Sequence, residues 1–201
     1  MSIRLNPYFP VIRDLLDDAG DDLLIPWTGY AWRFNAVEYS QPEEVLSGSG
    51  ALKSGGRWNA RGTCPVVYGS TEEKVALAEA AATEAYYGLT VRKPRLFVCI
   101  RFQLSAVLDL TSVKVLRRLR LRLRDLKSED WRKVHDAGNE SLTQCIGRAA
   151  AGHGAEGILC RSARLRGGLN LAWFPKNRNR GSEAEICDAS LLRKLHGRKT
   201  L

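Results

Sequence analysis

The residues of this chain whose types and settings could do chemistry are two arginines, a tyrosine, a glutamate and a serine. Most of them fall in one stretch, Ser54 to Glu79, which reads SGGRWNARGTCPVVYGSTEEKVALAE. A glycine pair leads into Arg57, Trp58 and Asn59. Tyr68 ends a short β-prone run, and Glu79 sits on the helix that should follow. A guanidinium offers a planar fork of donors and keeps its charge when partly buried, which suits phosphate. Glycine-rich backbone lets N–H groups approach an anion closely. An acid in an alanine- and leucine-rich stretch can be desolvated and take a functional role. Such a unit could hold a nucleotide by its phosphates and set a carboxylate against a glycosidic bond.

Each of these residues also has a plainer reading. Arg33, in GYAWRF, and Arg57, beside Trp58, could be salt-bridged or stacked on tryptophan for stability alone. Tyr68 could be a core-edge tyrosine. Glu79 lies seven residues after Glu72, so the two share a helix face that could simply be the wet one. Ser162, in GILCRSARLRGG, follows a short apolar run and could donate to a phosphate or carboxamide. It lacks the GxSxG elbow and has no nearby histidine, which argues against a serine-hydrolase triad.

The elements that must position these groups can be read from periodicity. Helical spacing predicts a helix over Pro10 to Asp18, with Leu23 to Pro26 as a connector. Thr28 to Phe34 reads as a strand carrying Arg33, Gln41 to Leu46 as a helical turn, and Ser47 to Gly56 as a loop. Val66 to Tyr68 is a short strand, and Ser70 or Thr71 should cap a helix running to about Tyr87. Arg95 to Phe102 and Val107 to Leu110 read as two strands. Helices are expected over Val113 to Leu121, from Ser128 through Val134, and over Ser141 to Ala151. Gly157 to Cys160, Asn170 to Phe174 and Glu185 to Ala189 are strand candidates, with a helical tail from Leu191. Strands and helices mix without steady βαβ alternation, so the fold class is α+β, a mixed β-sheet core with surrounding helices.

Composition narrows the function. At 201 residues the chain suits one domain. No apolar run approaches the roughly 20 residues that cross a bilayer. The N-terminus lacks the apolar region of a secretory signal, so a cytoplasmic address is expected. Five cysteines form no CxxC or Cys/His ligand spacing and read as reduced, mostly core thiols, with no metal site. The three histidines stand alone and read as surface or cap residues. The net charge of +9 suits an anionic partner. Its densest run, RRLRLRLR at 117–124, lacks the interleaved aromatics of base stacking, so a solvated face or a dock for an acidic partner is favoured over direct nucleic-acid binding. Neither GxGxxG after a strand nor GxxxxGK[ST] is present.

Taken together, Arg33 in YAWRF, GGRWN, VVYGS, ALAE, and GILCRSAR followed by GGLNLAWFP resemble the RES domain, a family named for Arg, Glu and Ser. The match covers roughly Gly29 to Leu191, making 28–201 the RES domain and 1–27 an N-terminal extension. The gap between Glu79 and Ser162 is long for a compact member, and basic helices over 113–134 fill it.

The resemblance implies a fold like that of ADP-ribosyltransferase toxins and an enzyme that degrades NAD+ at the nicotinamide–ribose bond. Such a protein would be an NAD+ glycohydrolase or phosphorylase, the toxin of a bacterial toxin–antitoxin pair. It implies Arg33, Arg57, Glu79 and Ser162 as catalytic residues. Arg33, Gly56, Arg57, Trp58, Asn59, Tyr68 and Asn170 would contact NAD+. There would be no metal and no resident cofactor; NAD+ is the substrate and inorganic phosphate a candidate co-substrate. The partner implied is a helix-turn-helix antitoxin of the Xre type, with a homo-oligomer also open. Protein mono-ADP-ribosyl transfer, or an inactive basic module binding nucleic acid or antitoxin, are the alternatives.

Overall fold

The computed structural model describes residues 3–39, 41–88 and 94–197. The side chains of 194–197, His196 among them, and the end of the basic tail lie outside that description. β1 (Leu24–Ala36) and β3 (Arg95–Asp109) pair antiparallel from Leu24↔Leu108 to Ala36↔Arg95. β2 (Val67–Ser70) meets β1 at Trp32↔Ser70 and pairs antiparallel with β5 (Leu169–Trp173). β5 pairs with β4 (Gly157–Arg161), which returns parallel to β3 and closes the ring. β6 (Glu183–Ile186) adds to β3 from outside this ring. The mixed sheet with helices around it is the α+β architecture expected from the sequence.

β4 and β5 are buried on both faces, and the two-residue period of these strands sorts side chains between two cores. Ile158, Cys160, Ala172 and Phe174 enter one core; Leu159, Leu171 and Trp173 enter the other. The first core is covered by α1 (Phe9–Ala19), α5 (Val113–Arg118) and α8 (Leu142–Gly152). Ile12 and Leu16 of α1 are wholly buried there, so residues expected as an N-terminal extension are packed against the same core as Trp58 and Ile146. No helix among the described residues is long and apolar enough to cross a membrane.

RRLRLRLR resolves in the same way. Leu119 and Leu121 are buried, while Arg117, Arg118, Arg120, Arg122 and Arg124 are exposed. Each buried leucine contributes about 1.5–3 kcal/mol. The run therefore pins the segment to the core and leaves the arginines in water.

Several local expectations need correction. β1 begins at Leu24, so the expected connector is already strand. The glycine-rich stretch after Ser47 holds a helix, α3 (Ser49–Ser54), bracketed by Gly48 and Gly55 with positive φ. Glycines at both ends of a short helix produce a loop-like composition. Neither Ser70 nor Thr71 caps α4 (Glu73–Tyr86): the Ser70 hydroxyl donates to Asn170 and that of Thr71 to the Leu169 carbonyl. β6 ends at Ile186 rather than reaching Ala189, where α9 (Ala189–Gly197) starts. His135 is buried and takes a hydrogen bond from Gln144 instead of lying on the surface, whereas His153 ends α8 and contacts Asp17.

The two strands expected over Arg95 to Leu110 are one. Opposite Pro26 the ladder carries a bulge, with Ser105 and Ala106 facing one residue of β1. Proline cannot donate there, and the two freed N–H groups donate instead to the Glu156 carboxylate at 2.7 and 3.0 Å. The hydroxyls of Ser105 and Ser182 and the Asn179 N–H converge on the same fully buried group. Burial alone would raise the Glu156 pKa, but the bonds from Asn179, Ser105 and Ser182 outweigh it and hold the carboxyl below its ordinary value of 4.5. A group with a depressed folded-state pKa contributes stability above its unfolded value and loses it as the pH falls through the folded one. Glu156→Gln is therefore expected to cost about 1–3 kcal/mol at pH 7, since an amide would push N–H groups at donors. The deficit should shrink below about pH 4.5, as read from urea midpoints at pH 7 and in the acid range. An unchanged deficit in acid would contradict this account.

Candidate active site

The turn GGRWN is held by residues distant along the chain. Gly56 N–H donates to the Asn59 carbonyl at 2.8 Å, placing Arg57 and Trp58 at the tip. Gln144 of α8 donates to the carbonyls of Gly56 and Asn59, and its own side-chain oxygen takes the Ser141 N–H. Gly147 lies one turn on, where any Cβ would collide with the Trp58 carbonyl. Helix and turn can touch only because that position is glycine. Trp58 is then driven into the core, 2% exposed, and Arg57 is left half-buried, with its guanidinium over the Trp58 ring at 5.3 Å and donating to the Leu126 carbonyl at 2.6 Å.

Beside this turn lies a cleft of about 710 Å³. β1 brings Trp32 and Arg33 to it, β2 brings Tyr68, α4 brings Glu79 and Thr83, and β5 brings Asn170. Its outer wall comes from the basic middle of the chain, where α6 (Asp125–Ser128) leads into α7 (Trp131–Asp136). Arg33, Arg57, Trp58, Tyr68, Glu79 and Asn170 thus converge on one hollow, as the sequence suggested.

Three expected residues do not line it. The Ser162 hydroxyl is 2% exposed and fully engaged: it donates to Glu79 Oε1 at 2.7 Å and accepts the N–H groups of Arg164 and Leu165. Asn59 is completely buried, donating to the carbonyls of Ala51 and Cys64 and accepting from the Tyr68 hydroxyl. Gly56 is present because a Cβ would strike the Tyr68 hydroxyl at 2.5 Å. These residues support the groups that face the cleft. A sequence shows a hydroxyl or an amide, but not that its neighbours have already used it.

Tyr68 offers the cleft only its ring. Its hydroxyl accepts the Trp58 N–H and donates to Asn59, both at 2.8 Å. Burial raises its pKa well above the usual phenol value, against the pull of the Trp58 bond, so it stays protonated. Cys160 and Cys64 near the cleft are not activated thiols: burial pushes Cys160 up to about 11 and raises Cys64 as well.

The acids and bases of the cleft are unequally committed. Asp130 caps α7 and Glu129 takes the Leu142 N–H at the start of α8. Glu79 Oε1 accepts from both Ser162 and Asn170, at 2.7 and 2.9 Å, and Asn170 is itself held by Ser70. Oε2 has no hydrogen-bond partner among the described residues. Two donors on one oxygen fix the carboxylate plane, and the second oxygen is left for a ligand.

Arg33 donates to the Val45 carbonyl at 2.8 Å, yet its Nε is buried without a partner and no carboxylate among the described residues pairs with it. Burial pushes its pKa down to about 10. Arg132, which the sequence reading passed over, has the same feature. It lies between the rings of Trp131 and Tyr86, donates to Thr83, and leaves its Nε buried and unpartnered. Unpaired buried donors are rare in folded proteins. Two on cationic side chains that line one cleft leave positive charge beside it that the fold does not fully compensate. The signal that could have found Arg132 is the DWR triplet, an N-cap followed by an aromatic–arginine pair.

Comparison with known proteins gives the fold and the family. A chain of the crystal structure of the M. tuberculosis MbcT–MbcA toxin–antitoxin complex superposes with a TM-score of 0.62 at 23% identity. The match covers 93% of this chain and 97% of that one. A search of curated proteins returns no significant match. The model of the RES domain matches residues 30–192, a span that takes in the whole cleft from Arg33 to Asn170. The chain belongs to the RES domain family.

Proposed function

We propose that this protein degrades NAD+ by breaking its nicotinamide–ribose bond, as a glycohydrolase or phosphorylase, and that it is the toxin of a toxin–antitoxin pair. The observation that carries the reading is the pairing of the half-free Glu79 carboxylate with unpaired buried arginine donors across the same cleft. NAD+ has two phosphates for the charge of such arginines. Its nicotinamide leaves readily because departure discharges the cationic ring. The ribose that remains passes through an oxocarbenium-like state, which needs negative charge close by rather than a strong acid.

In this reading Glu79 Oε2 faces the ribose and the developing cation. Ser162 and Asn170 act through Glu79 by fixing its plane. Arg33 and Arg57 hold the diphosphate, Arg132 adds a third donor, and the Tyr68 ring packs on the nicotinamide end with Trp58 behind it. No resident cofactor takes part; water or inorganic phosphate accepts the ADP-ribose. Incubating the purified protein with NAD+, with and without phosphate, tests this. Free ADP-ribose or its 1″-phosphate, with nicotinamide in equal amount, is expected. ADP-ribose found only on protein would replace the reading with a protein ADP-ribosyltransferase, and no nicotinamide would end it.

Two further outcomes are expected. Ser162→Ala should lower kcat about 10–100-fold with KM nearly unchanged, because Glu79 loses one of its two anchors while the cleft keeps its arginines. A change confined to KM, measured in steady-state kinetics, would contradict the positioning role. Expression in a bacterium should stop growth as cellular NAD+ falls, and a helix-turn-helix antitoxin that covers the cleft should restore both. Arrest with NAD+ unchanged would point away from NAD+ loss as the cause.

A further inference from the structure

Away from the cleft, β6 brings two thiols together. In the β3–β6 ladder Ile100 faces Ile186, so the next pair outward is Cys99 and Cys187. The Cys187 N–H donates to the Cys99 carbonyl at 3.0 Å, and the sulfurs lie 3.2 Å apart. Facing residues of an antiparallel pair have Cα atoms about 4.5–5.5 Å apart, inside the range a disulfide spans. Cys187 is exposed and Cys99 half-buried, so the pair is reachable from solvent, unlike the buried Cys145 and Cys160. Sequence alone marks the cysteines as mostly core thiols and does not show this pairing across 88 positions.

The geometry points to a reversible disulfide between Cys99 and Cys187 that fastens β6, and helix α9 after it, to β3. β6 pairs only with β3 among the described strands, and α9 holds to the core through Leu192. This is the outermost strand of the sheet, with one ladder to keep it in place. A covalent link there would close a long loop carrying β4, β5 and Ser162, and such closure removes much of the unfolded chain's freedom.

The reaction needs an oxidant, and a small-molecule disulfide such as oxidised glutathione supplies it. The Cys187 thiolate attacks one glutathione sulfur, the S–S bond breaks, and one glutathione leaves as thiolate. Cys99, having given up its proton, attacks the Cys187 sulfur of the mixed disulfide and expels the second glutathione. Two protein thiols are oxidised, one disulfide is reduced to two thiols, and the two protons pass to the departing glutathiones. Exposure assigns the first attack to Cys187. Cys99 is pushed up to about 12, chiefly by burial and then by Cys187, Asp188 and Glu73, so it acts second.

The test is equilibration of the full chain in buffers of varied reduced-to-oxidised glutathione ratio, acid quenching, alkylation and peptide mass analysis, with Tm measured on the same samples. A Cys99–Cys187 linked peptide is expected, together with a Tm about 5–15 °C above that of the reduced protein. Both should vanish in Cys187→Ser and in Cys99→Ala, whose Tm should stay near that of reduced wild type. Glutathione retained on Cys187 without the link, a link between two chains, or a linked protein with unchanged Tm would overturn the proposal. None of these readouts depends on the cleft being active.

Discussion

Glu79→Gln is expected to lower kcat for NAD+ cleavage by about 10²–10³ while the protein stays folded and KM moves by less than about threefold. Removing one oriented group that stabilises developing charge costs about 2.7–4 kcal/mol of barrier in comparable sites. Glutamine can do everything for the fold that Glu79 does. Its oxygen can accept from Ser162 and Asn170 as Oε1 now does, at 2.7 and 2.9 Å. Its amide nitrogen would then occupy the place of Oε2, so the cleft would lose a charge and keep its shape. Steady-state kinetics and a thermal melt on the same sample check both halves. Undiminished kcat in a folded variant would remove Glu79 from the chemistry.

Arg33→Met should separate stability from function in the opposite direction. A guanidinium buried without a carboxylate partner is costly to the fold, as its pKa of about 10 reflects. Methionine fills similar volume without charge. It forfeits the charge-assisted bond to the Val45 carbonyl, worth about 1.5–3 kcal/mol, but relieves a larger desolvation cost. The variant should melt about 2–4 °C higher than wild type. NAD+ binding should weaken about 10–100-fold, the worth of a charge-assisted bond to phosphate. A variant that melts lower and binds NAD+ normally would mean that Arg33 is structural. Function-bearing residues are commonly kept at a cost to stability, and this site would be an instance.

The convergence of Arg33, Arg57 and Glu79 was legible in the sequence because each sits in a setting odd for its type: a cation among aromatics, a cation between glycines and tryptophan, an acid among alanines. What could not be read was which polar groups the fold itself consumes. Ser162, Asn59 and Gly56 looked equally available as sequence, and all three serve neighbours rather than the cleft. The clamp on the GGRWN turn was hidden for a related reason. Gln144 completes an ordinary S-x-x-Q helix start, and only the tertiary structure shows its amide reaching the carbonyls of Gly56 and Asn59. β3 looked like two strands because the alternation falters at Ser105 and Ala106, and the group that restores the lost hydrogen bonds, Glu156, is distant along the chain. The outer wall, with Arg132 between two aromatic rings, lay in a segment whose run of arginines and leucines drew attention to its charge.

The most direct measurement is the release of nicotinamide from NAD+, followed by proton NMR with wild type and Glu79→Gln in parallel at saturating NAD+. Rapid release by wild type, falling at least 100-fold in the variant while NAD+ binding is kept, is the result predicted here from charge stabilisation in the cleft. Equal rates in the two proteins, or no release by either under conditions where NAD+ is bound, would contradict it.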